Sequence, residues 1–203
     1  ASMAGSGLAA PFTFKGGSYP GTGGTCGGTL AAAGSCTVIV TFAPTSAGLQ
    51  SDTMNIAYDN GVSGQTSSRD MEGTGVAPAL LTISDGPTYD FGPVVATASL
   101  DKTFTVNNSG SLAATSIAGT GITAPFTFKG GGYPGTGGTC GGTLNAGASC
   151  TVVVTFNPSV TGSFNQTVAL GYNDGAQVQS STRDLQGTGA TPASITISNG
   201  PTY

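Results

Sequence analysis

Apolar and polar residues alternate with a period of two along most of this chain, in runs too short for anything but strands. In residues 150–156, Cys150, Val152, Val154 and Phe156 fall on one face and Thr151, Val153 and Thr155 on the other. A period of two sends successive side chains to opposite faces of an extended backbone. Leu81 and Ile83, Phe104 and Val106, and Val168, Leu170 and Tyr172 repeat the pattern. It predicts strands over residues 79–84, 88–91, 100–107, 113–117, 125–129, 150–156, 167–172 and 177–186. Asp85-Gly86-Pro87 and Asn173-Asp174-Gly175 read as turns between them. No segment of useful length has helical periodicity. Seven or so short strands in about 110 residues, each with one apolar face, point to an all-β, two-sheet sandwich.

The pattern returns after 114 residues without insertion. Ala10-Pro11-Phe12-Thr13-Phe14-Lys15-Gly16-Gly17 recurs as Ala124-Pro125-Phe126-Thr127-Phe128-Lys129-Gly130-Gly131, and residues 1–89 match 115–203 at 53 of 89 positions. A period this long is a whole domain rather than a solenoid unit of about 20–50 residues. The expected division is an incomplete repeat over 1–75 lacking its first strands, a complete repeat over 76–189, and the first strand of a following repeat over 190–203. These bounds read as a window on a longer array. Gly187-Thr188-Gly189-Ala190-Thr191-Pro192, matched by Gly73-Thr74-Gly75-Val76-Ala77-Pro78, reads as a short, Pro-stiffened link. The last strand carries Ile195 and Ile197 on one face. It is expected as an exposed edge able to donate itself to another sheet.

Charge changes the picture by exclusion. The 203 residues hold five Lys and Arg, nine Asp and Glu and no His, for a net charge of −4. Nucleic-acid binding needs basic stripes, and none is present. No apolar run approaches the length of a membrane span, so no membrane insertion is expected in this segment.

Four cysteines form two identical pairs, Cys26/Cys36 and Cys140/Cys150, each around a Gly/Ala-rich turn. Zinc is a poor fit without Cys-x-x-Cys or histidine. A disulfide within each repeat is the expectation, with buried free thiols as the alternative. Disulfides would imply an oxidising compartment.

Several stretches together resemble a known family. They are Tyr89-Asp90-Phe91-Gly92, Thr105-Val106-Asn107-Asn108-Ser109-Gly110, Phe126-Thr127-Phe128, the run from Cys140 through Asn157-Pro158, Gly162, and Leu185-Gln186-Gly187-Thr188-Gly189. They are similar to the bacterial choice-of-anchor D repeat domains, themselves related to the hydin and major-sperm-protein group. The resemblance covers essentially the whole repeat. It implies tandem immunoglobulin-like β-sandwiches of 114 residues in secreted or surface-attached bacterial proteins, without catalysis. Gly130-Gly131-Gly132 and the glycines up to Gly142 are denser than the family leads one to expect.

Candidate chemistry is thin. Hydrolytic triads lack a histidine. Ser99-Leu100-Asp101-Lys102 has Ser-x-x-Lys spacing, but at a strand start these residues point to opposite faces. The two copies replace one another's carboxylates: Asp52 by Gln166, Asp59 by Asn173, Glu72 by Gln186, Asp85 by Asn199. No repeated carboxylate pair remains for a glycosidase. Arg69-Asp70 and Arg183-Asp184 are the charged pair present twice, expected either as an inter-domain or partner contact or as an intradomain group. Tyr19 and Tyr133, in Gly-rich stretches, are candidate contacts for a neighbouring domain or a glycan, or else rings tucked onto the sandwich. The expectation is a non-enzymatic fibre, filament or stalk at the cell surface or outside the cell, without metal or cofactor, associating with its own copies. The alternative is an adhesin or glycan-binding module that gains avidity from repetition.

Overall fold

Every regular element is a strand in the computed structural model, which describes residues 2–198. Residues 199–203, part of the expected strand over 190–203, lie outside the described residues. No helix among the described residues is long and apolar enough to cross a membrane. The chain divides into two compact units, Ala1–Ala77 and Pro78–Tyr203.

The first unit contains β1 (Ala4–Ser6), β2 (Phe12–Phe14), β3 (Val40–Phe42), β4 (Gly48–Asp59) and β5 (Gly64–Gly75). They make one sheet in the order β1-β4-β5 and a two-stranded piece, β2-β3. All pairings are antiparallel. β5 therefore has one paired edge, facing β4, and β3 has one, facing β2.

The second unit contains β6 (Leu81–Ile83), β7 (Thr88–Val95), β8 (Leu100–Asn108), β9 (Ala114–Thr120), β10 (Phe126–Phe128), β11 (Thr143–Leu144), β12 (Ser149–Phe156), β13 (Gly162–Asn173) and β14 (Val178–Ala190). One sheet runs β10-β12-β8-β6 and the other β11-β9-β13-β14-β7. β7 joins β14 in parallel, with Thr88 opposite Asp184 and Tyr89 opposite Leu185. A parallel pair cannot be closed by a tight turn; here nearly the whole unit separates the two strands.

The inward faces meet in one core. Phe104, Val106, Phe126, Val154, Phe156, Val168, Leu170 and Leu185 are fully buried. Phe126 stacks on Phe156 at 4.7 Å, and Phe91 lies 5.6 Å from each. Each such side chain contributes about 2–3 kcal/mol by leaving water.

Three expectations are corrected. Val153, expected on an outer face, is buried. Residues 129–139 run along the β12 edge, with Lys129 N–H donating to Val153 O at 3.0 Å and Val153 N–H to Pro134 O at 2.8 Å. That segment closes an edge which would otherwise invite stray pairing. Gly187 and Gly189 belong to β14 and not to a link, and Gly73 and Gly75 likewise belong to β5. Glycine is required there by close approach. The ring of Phe156 lies over Gly187 where a Cβ would stand, as that of Phe42 does over Gly73. Asn173-Asp174-Gly175 does not form a two-residue hairpin; the loop extends to Gln177, closed by Asp174 N–H to Gln177 O at 3.0 Å.

Asn108 is the polar group most deeply set in this core. Its Oδ1 accepts from Leu80 N at 3.0 Å and Gly110 N at 3.1 Å. Its Nδ2 donates to Leu112 O at 2.8 Å and Leu144 O at 3.0 Å. A buried amide with all four partners ties β6, β8 and β11 together; one stripped of them leaves several orphaned groups. Asn108→Ala is expected to destabilise the second unit by about 3 kcal/mol, read as a lower urea midpoint.

Candidate functional site

The two units carry the same side chains at 114-residue spacing, and the first leaves open what the second covers. Met3, Tyr19, Cys26, Leu30, Cys36, Val38, Ile56 and Tyr58 line a groove of about 480 Å³ in the first unit. Their counterparts in sequence are Ile117, Tyr133, Cys140, Leu144, Cys150, Val152, Leu170 and Tyr172, which belong to or pack against the core of the second unit. Tyr58 is 36% exposed where Tyr172 is 4%, and Leu30 is 45% exposed where Leu144 is 6%. The cover in the second unit is β6, with Leu81 and Ile83, and β8, with Phe104 and Val106, all buried. Leu81 N–H also donates to the Tyr172 hydroxyl at 3.2 Å.

Arg183 is held inside its own unit. It is buried, and its guanidinium is spent on backbone within its own unit. Nε donates to Ser84 O at 2.8 Å, one terminal nitrogen to Pro87 O at 2.7 Å, and the other to Ile83 O. The five donors of a guanidinium suit several carbonyls gathered at one turn. Arg69, its counterpart on β5, is exposed, and among the described residues its side chain makes no hydrogen bond or ion pair. The two aspartates are spent across strands: Asp70 accepts from the Thr53 hydroxyl at 2.7 Å, and Asp184 from that of Thr167 at 2.6 Å. Thr53 and Asp70 are register partners, as are Thr167 and Asp184. Neither carboxylate forms an ion pair among the described residues.

Tyr19 and Tyr133 turn inward. Each ring stands edge-on to a phenylalanine, Phe14 at 5.6 Å and Phe128 at 5.7 Å. Each lies over a strand glycine, Gly5 or Gly119. Both hydroxyls are buried without a partner among the described residues, and burial pushes the Tyr133 phenol above its ordinary range. Each ring packs on its own unit, and that of Tyr19 also lines the groove of the first unit.

Both cysteine pairs are disulfides, Cys26–Cys36 and Cys140–Cys150. Each closes a loop beside a threonine pair, Thr25 with Thr37 at 3.1 Å and Thr139 with Thr151 at 3.2 Å. In the chain-entropy picture a loop of about 11 residues contributes about 2.8 kcal/mol. Disulfides persist where glutathione does not reduce them, which argues for a non-cytoplasmic location.

Two lysines are held in ion pairs. Lys102 pairs with Asp85 at 3.1 Å and lies 4.5 Å over the Tyr89 ring; Lys129 pairs with Asp101 at 2.8 Å. The Ser84 hydroxyl, then Lys102, holds the Asp85 carboxyl below its ordinary value. Lys129, then the Thr155 hydroxyl, does the same for Asp101. The Asp174 carboxylate is lowered by the amides of Gln177 and Ala176. It is spent on its turn. Ile195 and Ile197 are 92% and 88% exposed.

These features define a class: a disulfide-stapled, all-β sandwich domain with immunoglobulin-like sheets. The profile of the HYDIN/CFA65/VesB-like Ig-like domains matches residues 83–188. The chain belongs to that family. The resemblance to the hydin group read from the sequence is thus supported at this coarser level.

Among solved structures it is similar to the VesB protease of Vibrio cholerae, at 17% identity and a TM-score of 0.44, over 55% of this chain and 32% of that one. It is similar to the ASH/PapD-like domain 7 of human CEP192, at 14% identity and a TM-score of 0.41, over 58% and 89%. A protein of unknown function from Porphyromonas gingivalis W83 matches at 10% identity and a TM-score of 0.40, over 91% and 84%. The chain thus spans about a third of the length of the Vibrio structure. No curated protein sequence matches significantly.

Two outcomes are expected. Arg183→Ala should destabilise by about 2–4 kcal/mol, because three carbonyls lose a charged donor, whereas Arg69→Ala should stay within about 0.5 kcal/mol; urea titration with two resolved transitions checks both. Asp85, Asp101 and Asp174 have folded values below their unfolded ones, so their stabilisation is full above about pH 4. It is lost as pH falls through the lowered folded values. Thermal melts should therefore fall as the pH drops below about 4, and the triple Asn variant should reduce that fall.

Proposed function

We propose that the chain serves as tandem Ig-like domains of a non-enzymatic, extracellular bacterial fibre, filament or stalk, of the choice-of-anchor D type. The observation that carries this reading is the recurrence, at 114 residues, of the same structural devices in both units. These are the disulfide with its threonine pair, the tyrosine over a strand glycine, the phenylalanine over a second glycine, and the aspartate–threonine cross-strand bond. All of them stabilise or shape a domain; none presents a nucleophile, base or ligand set. Repeating one stapled domain is a direct way to gain length. On this reading residues 76–189 form one full domain and residues 1–75 most of another. The adhesin reading has less support, because Tyr19 and Tyr133 are each packed against a phenylalanine and a strand glycine.

Negative-stain electron microscopy of the native material from which the chain derives tests this. Long regular filaments or beaded rods of constant spacing are expected. Dispersed globular particles overturn the reading.

A further inference from the structure

The loop between β4 and β5 brings together a side chain and a main-chain nitrogen that can react with each other. It reads Asp59-Asn60-Gly61, and its counterpart between β13 and β14 reads Asn173-Asp174-Gly175. Amide and carboxylate have changed places between the copies, but the hydrogen bonds are the same. Gly61 N–H donates to Asp59 Oδ1 at 2.7 Å, as Gly175 N–H does to Asn173 Oδ1 at 2.8 Å. Asn60 Oδ1 accepts from the amides of Val62 and Ser63, each at 2.9 Å. Asp174 Oδ1 accepts from those of Ala176 and Gln177, at 2.8 and 2.7 Å.

In the first unit these bonds surround a reactive pair. The carboxamide of an asparagine can be attacked by the main-chain nitrogen of the next residue, which closes a five-membered succinimide. Gly61 has no side chain to shield that nitrogen, and its φ of +92° suits glycine alone. The Asp59 carboxylate sits on the Gly61 N–H, where a general base has to be. The Val62 and Ser63 amides sit on the Asn60 carbonyl oxygen, where negative charge develops as the nitrogen adds.

We propose that Asn60 is a self-modifying site, which the folded loop converts through a succinimide to aspartate and isoaspartate. The Gly61 nitrogen bonds to Asn60 Cγ, and its proton passes to Asp59. The Val62 and Ser63 amides hold the oxyanion at Oδ1. As it collapses the Cγ–Nδ2 bond breaks, and Nδ2 takes the proton back from Asp59 and leaves as ammonia. Water then opens the ring. Attack at Cγ breaks the new Cγ–N bond and leaves ordinary aspartate. Attack at the main-chain carbonyl breaks the old peptide bond and leaves isoaspartate, with the chain routed through Cγ.

The aspartate product suits the loop. Asp174 shows a carboxylate at that position keeping both amides and accepting from Gln179 Nε2 at 3.0 Å on its second oxygen. The counterpart of Gln179 is Gln65, which donates to Ser63 Oγ at 2.9 Å. The isoaspartate product lengthens the main chain inside the turn and so disturbs it. The second unit is spared this ageing. The amides of Gln177 and Ala176 favour the ionised form of Asp174, and a carboxylate resists nucleophilic attack. The nitrogen that follows Asn173 belongs to Asp174, whose side chain crowds it.

Peptide mapping of the full chain by mass spectrometry tests this. Trypsin separates Asn60 from Asn199-Gly200, the other Asn-Gly of the sequence, because Arg69 and Arg183 lie between them. Incubated folded at neutral pH, the chain should acquire the acid mass at Asn60 and yield both isomers. Asp59→Asn removes the base and keeps the acceptor, as Asn173 does in the second unit. It should slow conversion in the folded chain about tenfold or more. In urea the loop bonds are gone, and the two chains should convert at closely similar rates. An Asn60 that stays intact in the folded chain while it converts in urea overturns the proposal. So does folded conversion indifferent to Asp59→Asn. An effect of that variant as large in urea as in the folded chain overturns it too, since it would belong to the sequence and not to the loop.

Discussion

An apolar strand face has to be covered by a second sheet, and the rest of this molecule follows from how far that condition is met. Strands alternate, so each sheet carries one apolar side that water disfavours. In the second unit two sheets meet, and Phe104, Phe126, Phe156, Leu170 and Leu185 disappear between them. In the first unit the same kinds of residue stand on β3, β4 and β5, but β3 and β5 each keep an edge without a ladder. The difference in burial between Tyr172 and Tyr58 is therefore a difference in cover, not in side chain. Stapling acts on the other side of the strand. Each disulfide anchors a Gly-rich loop that extends the pairing of β2 with β3 or of β10 with β12, on the side those strands already occupy.

The alternating strands were legible because their signal is local. Cys150, Val152, Val154 and Phe156 share a face in the sequence and in the core, and so do Val168, Leu170 and Tyr172. What escaped was set by partners distant in sequence. Val153 reads as an outer residue because nothing near it announces that residues 129–139 will fold along its edge. Gly187 and Gly189 read as linker because glycine usually marks turns, whereas here it makes room for Phe156 and the backbone near Val160. β11 is two residues long, too short for any period to show. The parallel pairing of β7 with β14 has no sequence signature at all.

The site was legible to a lesser degree. The cysteine pairing followed from spacing. Arg183 was visible as a charge present in both copies, but its acceptors are backbone carbonyls, and every residue carries one. Charge patterning could not find them, since no carboxylate is involved. Tyr19 and Tyr133 stood out as aromatics among glycines. The glycines that receive the rings, Gly5 and Gly119, lie on strands well separated from the tyrosines.

A latch made of backbone acceptors has a consequence for how freely the strand it holds can vary. Ile83, Ser84 and Pro87 offer Arg183 their carbonyls, whatever side chains they carry. A guanidinium buried against three dipoles reads the path of the turn and not its composition. Leu80 can thus become Ser194, Leu81 can become Ile195 and Asp85 can become Asn199 between the copies without touching the acceptors. What must be kept is the apolar face of alternate residues and the Gly-Pro that shapes the turn, and both copies keep them. The same economy applies to the receiving side. Tyr and Arg are retained at 58 and 172 and at 69 and 183, while Met54 and Val168, Ile56 and Leu170, and Met71 and Leu185 exchange one apolar shape for another. Packing tolerates such exchanges when volume and patterning are preserved, but a buried carbonyl without a donor has no near substitute. Selection on cover alone would therefore leave the pattern seen here: variable apolar filling around a fixed tyrosine and a fixed arginine.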